Sequence, residues 1–350
     1  MKIAVRLPNW LGDTVMAVPA LRALREASPD ARVLLAGPWV ELLGGQGLGD
    51  VLVSYPRSWS ERIRTADVVR DFAADTVVLL PNSFEAAAAA VYWRARRRIG
   101  FAVDGRRWLL TDALPLPEPR LHQIDEYLLL VGRVGASAPA REPRLAPPEA
   151  HADTRRRARE LLRQGGAPEG RLRIGVHLGA AYGPAKVWVH ERVVEFCRLA
   201  EARGALPVLL GAPSDEPAAA DVLRATHALS LVGRDSPELL SAVLTEISAL
   251  VCGDTGVAHL AAALGTPVVA LFGPTVPALT APLGPVAVVS RAVPCAPCFY
   301  RVCPIEHPCL RDLPAARVRD TVLALLDGGM RPPDTGDGAA VTRSRRGRRA

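Results

Sequence analysis

Apolar residues in this chain come in short continuous runs, separated by longer stretches in which they recur every three or four positions. Runs such as Lys2–Leu7, Arg32–Ala36 and Thr76–Leu80 read as buried strands, and Thr14–Ala27, Ala66–Ala73 and Glu85–Arg97 carry the helical period. The alternation starts again after residue 150. Helix Thr154–Gln164 leads to strand Arg173–His177, helix Glu191–Arg203 and strand Pro207–Gly211. A short strand at Leu229–Val232, helix Pro237–Glu246 and strands Ala249–Cys252 and Pro267–Phe272 complete the set. Strands that are apolar throughout, rather than at every second residue, are covered on both faces, which predicts parallel sheets flanked by helices. The Pro-, Ala- and Arg-rich stretch 137–152 is the natural linker. The pattern therefore predicts two doubly wound α/β domains, residues 1–148 and 149–330, facing a cleft.

Ligands of such sheets bind where strands end and helices begin. Residues 253–259 read Gly-Asp-Thr-Gly-Val-Ala-His between an apolar run and the alanine-rich helix Leu260–Leu264. That turn brings a carboxylate, a hydroxyl and the amides of a helix N-terminus to one point. Alone, an Asp or Thr there is most often a cap. Two further strand exits change the reading. His177–Trp188 (HLGAAYGPAKVW) holds Lys186 in a loop otherwise uncharged from Gly179 onward, and RLPNWLGDTVMAVPALRAL puts Asp13 at the mouth of a helix. Asp, Lys and Asp-Thr-Gly at three exits suit an anionic, hydroxyl-rich ligand. No G-x-G-x-x-G follows an early strand, which counts against a dinucleotide cofactor.

Composition changes this picture little. The 350 residues, 49% of them hydrophobic, are enough for two cores. No apolar stretch reaches the roughly 18 residues of a membrane span, and the N-terminus enters a strand directly, so a cytoplasmic protein is expected. Of the net charge of +7, +4 lies in the Arg-rich segment 331–350, expected to be a disordered basic tail. The remaining charge does not suggest a nucleic-acid partner. Cys295, Cys298, Cys303 and Cys309 follow the spacing C-x2-C-x4-C-x5-C, with one knuckle where zinc ribbons have two. They read as a compact loop of small apolar side chains, with a structural zinc site as the alternative.

Five stretches in order, RLPNWLGDTVMAVPALRAL, LPNSFEAAAAA, HLGAAYGPAKVW, GDTGVAHLAAALGTPVVALFGPT and PCAPCFYRVCPIEHPCL, resemble the ADP-heptose lipopolysaccharide heptosyltransferases of glycosyltransferase family nine. LPNSF and GPAKVW are similar to the second heptosyltransferase of the core pathway in particular. The resemblance covers roughly residues 1–325. It implies a GT-B fold and an inverting transfer from ADP-heptose to the lipopolysaccharide inner core. ADP-heptose is then a co-substrate, with no cofactor and no metal. It makes Asp13 the general base, its charged form stabilised by the helix N-terminus, and Lys186 the group that meets the departing diphosphate. Asp254, Thr255 and Gly256 become the donor loop, with Gly12 and His259 beside it. Asp215 takes the place of a glutamate that holds ribose hydroxyls, on a shorter side chain. Asn82 and Ser83 become acceptor contacts. The implied partners are a nucleotide-sugar donor and a glycolipid acceptor, met by a monomer with peripheral contact at the cytosolic face of the inner membrane. The rivals are a transferase with a non-lipopolysaccharide acceptor, a nucleotide-sugar epimerase and a non-catalytic sugar-nucleotide binder.

Overall fold

The structure, a computed structural model, describes residues 1–56, 59–138, 140–146, 152–166, 170–234 and 236–328. The expected domain boundary at 148/149 and the tail 331–350 lie outside the described residues. Two six-stranded sheets carry the fold. The first contains β1 (Lys2–Arg6), β2 (Arg32–Gly37), β3 (Val51–Ser54), β4 (Thr76–Leu79), β5 (Arg97–Phe101) and β6 (Asp112–Leu114) in the order β3-β2-β1-β4-β5-β6. The second contains β7 (Arg173–His177), β8 (Leu206–Leu210), β9 (Leu229–Ser230), β10 (Ala249–Gly253), β11 (Val268–Phe272) and β12 (Val286–Ser290) in the order β12-β11-β10-β7-β8-β9. Every pairing is parallel. Read from the other edge, the second sheet repeats the topology of the first. Each reverses direction beside its own first strand, at β1/β4 and at β7/β10, and a crevice opens at such switch points.

The continuous apolar runs have the cause the sequence suggests. All residues of β4, β8, β10 and β11 are buried, because helices cover both faces. Two helix expectations need correction. The span Thr14–Ala27 is two helices, Leu11–Met16 and Val18–Ala27, broken at Ala17 where Pro19 in the first turn of the second has no amide to donate. The helix expected over Glu85–Arg97 is Phe84–Tyr92; Arg94 takes a left-handed backbone (φ 60°), and Arg97 already begins β5.

The described part of the linker is fastened to both halves. Arg22 donates to the Arg144 carbonyl (3.0 Å), and Gln46 makes two hydrogen bonds with the Ala146 backbone (2.9 and 3.0 Å). On the other side, the Leu145 amide donates to Ala263 of the second half (2.8 Å). A second tie runs through His122. Its Nδ1 accepts the Ile124 amide (3.3 Å), which leaves Nε2 to donate to the Ala281 carbonyl at 3.0 Å. No described helix is long and apolar enough to cross a membrane.

Candidate active site

The exits of β1, β7, β8 and β10 line one cavity of about 750 Å³ between the two halves, within the usual range for small-ligand sites. The helix Leu11–Met16 supplies Gly12 and Asp13 from the first half. The second half supplies Lys186, Asp215, Asp254, Thr255, Gly256 and His259. The helices meet N-terminus to N-terminus, and only glycines permit the approach. A Cβ on Gly12 would stand 2.9 Å from His259 Cδ2, and one on Gly256 would stand 2.9 Å from the Gly12 nitrogen.

Lys186 ends a short 3₁₀ turn, Pro184–Lys186, after β7. Its carbonyl packs on the Cα of Gly253, where a side chain would collide. This seats the Lys186 loop against the end of β10 and brings the ammonium to Asp254. Lys186 Nζ donates to Asp254 Oδ2 at 2.5 Å, and Thr275 Oγ1 donates to the same oxygen at 2.7 Å. Asp254 is nearly buried, so the pair lies in a weakly screened environment. Thr255 is the N-cap residue of helix Gly256–Ala263 by backbone geometry, yet its side chain makes no cap bond. The simple capping role that competes with a ligand-binding one is therefore absent for Thr255.

Asp13 faces this cluster from the opposite half. Burial pushes its carboxyl up to about 6, Asp254 adds to the rise and Lys186 opposes it. The helix N-terminus favours the charged form of Asp13 and desolvation opposes it. A carboxylate with its pKa near the working pH is the more effective proton acceptor. His259 is buried, and burial lowers its pKa to about 4. Near neutral pH it is an uncharged imidazole, able to donate a hydrogen bond but carrying no cation. Asp215 lines the cavity with its carboxylate against the Cα atoms of Gly179 and Gly211, and its Oδ2 accepts the Ala212 amide at 2.9 Å. The carboxylate is partly engaged in holding its own turn.

Asn82 and Ser83 do not line the cavity. Asn82 Oδ1 accepts from the buried Arg106 (3.1 Å), and Ser83 Oγ caps helix Phe84–Tyr92 by accepting the Ala86 amide (3.3 Å). The cysteine loop also differs from its simplest reading. Cys309 is buried under Gly273, but Cys295 is exposed and Cys298 and Cys303 are half-buried. No three His, Cys, Asp or Glu among the described residues are grouped to hold a metal. Far along the chain from Lys186, this loop nevertheless folds back onto it.

Among the lining residues that escape the sequence reading are His177, Trp10 and Tyr182. His177, at the end of β7, has its pKa lowered by burial against the opposing pull of Asp215. Trp10 lines the cavity, and Tyr182 holds Lys186 Nζ 4.6 Å from its ring centroid. Tyr182 is the first aromatic residue in an otherwise small-residue loop, a signal present in the sequence.

Comparison with known proteins agrees with this architecture. The chain is 29% identical to "Lipopolysaccharide heptosyltransferase 2" of Salmonella typhimurium, over 84% of this chain and 88% of that protein. The solved structure of the E. coli ADP-heptose lipopolysaccharide heptosyltransferase II superposes with a TM-score of 0.78 at 26% identity, covering 94% of this chain and 99% of that one. A family 9 glycosyltransferase from Veillonella parvula shares the fold, with a TM-score of 0.81 at 20% identity over 93% and 97% of the two chains. Residues 62–308 match the sequence profile of glycosyltransferase family 9 (heptosyltransferase). The chain belongs to that family, and the protein is a glycosyltransferase.

Proposed function

We propose that the protein transfers L-glycero-D-manno-heptose from ADP-heptose to the lipopolysaccharide inner core with inversion at the anomeric carbon. One observation carries the reading. Asp13, with a carboxyl poised near 6, stands across the cavity from a lysine–aspartate pair and a helix N-terminus whose Thr255 side chain makes no cap bond. The second half would hold the donor diphosphate through Lys186 and the amides at Thr255 and Gly256. An acceptor hydroxyl between the halves would give its proton to Asp13 as its oxygen attacks the anomeric carbon. The bond from that carbon to the diphosphate oxygen breaks in the same displacement, and ADP leaves with the negative charge. Lys186 then has more charge to neutralise in the transition state than before it, the condition under which binding becomes catalysis. Asp254 and Asp215 would accept hydrogen bonds from donor hydroxyls.

The same reading assigns the work to protein groups without a metal and places the enzyme at the cytosolic face of the inner membrane. Its relatives' names supply the donor and acceptor classes, and the cavity chemistry is compatible with both. The test is incubation with ADP-heptose and a heptose-bearing inner-core acceptor, in excess EDTA, with the product's new anomeric linkage read by NMR. A product of opposite anomeric configuration to the donor supports the assignment. Transfer from UDP-sugars in preference to ADP-heptose, retention of configuration or loss of activity in EDTA would each overturn its part of it.

A further inference from the structure

The cysteine-rich segment 295–309 is the part of the sequence pattern that the chemistry above leaves unused. It brackets the Lys186 cluster from outside the cavity. At one end the amides of Cys298 and Phe299 both donate to the Pro274 carbonyl (3.1 and 2.9 Å), next to the Thr275 whose hydroxyl binds Asp254. At the other end the Ala185 amide donates to the Arg301 carbonyl at 3.0 Å, beside Lys186. Gly183 makes that approach possible: its φ is 147°, and a Cβ there would stand 2.5 Å from the Arg301 oxygen.

Tyr182 joins the two loops. Its hydroxyl donates to the Phe299 carbonyl at 2.6 Å, while Lys186 Nζ lies 4.6 Å and the Arg301 guanidinium carbon 5.0 Å from its ring centroid. Phe299 is held in a left-handed backbone (φ 56°), a conformation that costs a non-glycine residue energy and persists where surrounding contacts fix it. Here Pro274 fixes it on one side and Tyr182 on the other. A hydroxyl that donates away keeps the ring electron-rich and in one orientation, which favours the cation–π contact to Lys186. The Arg301 guanidinium packs against the same ring and helps to fix its orientation.

We propose that the cysteine-rich segment supports the donor site from behind, with Tyr182 and Arg301 acting as positioning residues that hold the Lys186 ammonium where a diphosphate group meets it. This rests on the donor reading given above. The two residues touch Lys186 and its loop; neither is assigned a contact with the reacting atoms.

The test is calorimetric binding of ADP and of AMP to the full chain, with thermal melts as a folding check. Loss of a positioned ammonium weakens the ligand with the longer phosphate chain, whereas general damage to the pocket weakens both. Tyr182→Ala should weaken ADP binding about 10-fold while leaving AMP within about 2-fold. Tyr182→Phe, which keeps the ring and loses the hydroxyl, should fall between wild type and Tyr182→Ala and covers the case in which the alanine variant does not fold. Arg301→Ala should weaken ADP about 3-fold, and Arg301→Lys should restore most of it. In a Lys186→Ala background none of these changes should matter further. Wild-type ADP affinity in Tyr182→Phe and Arg301→Ala, or equal losses for ADP and AMP, would overturn the proposal alone. Failure of the unaltered protein to bind ADP would overturn the donor reading beneath it as well.

Discussion

The two halves of this molecule share one topology and divide the chemistry unequally. Each has six parallel strands in the same spatial order, and each opens a crevice beside its first strand. Among the described residues, the first half gives the crevice one ionisable side chain, Asp13, whose carboxyl burial pushes up to about 6. From the second the crevice receives Lys186, Asp254, Asp215, His177 and His259, with a helix N-terminus that the Thr255 side chain does not cap. A duplicated fold therefore does not mean a duplicated site. The second half is suited to hold a charged, hydroxyl-rich ligand, and the first to present a single proton acceptor to whatever lies between them. The close contact of Gly12 with His259 and Gly256 makes the two crevices one cavity.

The division is broken most sharply at Asp13. Asp13→Ala should lower turnover by roughly 10²- to 10⁴-fold, the usual range for loss of a general base. ADP affinity should stay near normal, because the binding groups belong to the other half. Steady-state kinetics beside calorimetry checks both. Near-normal transfer by the variant would reduce Asp13 to a residue of the helix's first turn.

Lys186 should behave differently. Lys186→Ala should weaken ADP binding about 10-fold and slow turnover by a further factor of about 10–100, since the diphosphate is charged before transfer and more so during it. It also removes the partner of the nearly buried Asp254, so a modest loss of thermal stability should accompany it. An unchanged ADP affinity would leave this lysine as a structural partner of Asp254 only.

The smallest effect is on stability, and its sign is specific. The Asp13 carboxyl is raised in the folded protein from 3.8 to about 6. Its protonated form is therefore the one folding favours. That contribution is fully present below about pH 4 and is lost as pH rises through 6, leaving a buried carboxylate that opposes folding at higher pH. Asp13→Asn should raise the melting temperature at pH 8 by about 2–5 °C, and the gain should vanish below about pH 4. A gain independent of pH would mean that the ionisation of Asp13 is not what the substitution relieves.

What the sequence reveals follows the same asymmetry. Runs such as β4, β8 and β11 are legible because every residue faces a covered surface, which leaves no polar positions to blur the pattern. Strands β3, β5, β6 and β12 escape notice because they are partly exposed or begin among arginines, as β5 does at Arg97. Asp13, Lys186 and the Asp-Thr-Gly turn are legible because each follows a strand and is charged or polar in an apolar setting. The pairing of Lys186 with Asp254 and the folding of Phe299 and Arg301 against Tyr182 are not legible, since both depend on loops more than 60 residues apart meeting across the sheet edge. The upward pull on the Asp13 carboxyl is not legible either, because the opposing wall of the cavity comes from the other half of the chain.

The most direct test of this division of labour is the pH dependence of kcat/KM for the unaltered enzyme, with the affinity for ADP-heptose in the absence of acceptor measured over the same range. Both phosphates of that donor are esterified and do not titrate there, so kcat/KM is predicted to fall below about pH 6 with a slope of one proton, following the raised Asp13 carboxyl, while donor affinity changes little between pH 5 and 7. A rate that stays level down to about pH 4.5, or an acid limb matched by an equal loss of donor binding, would contradict it.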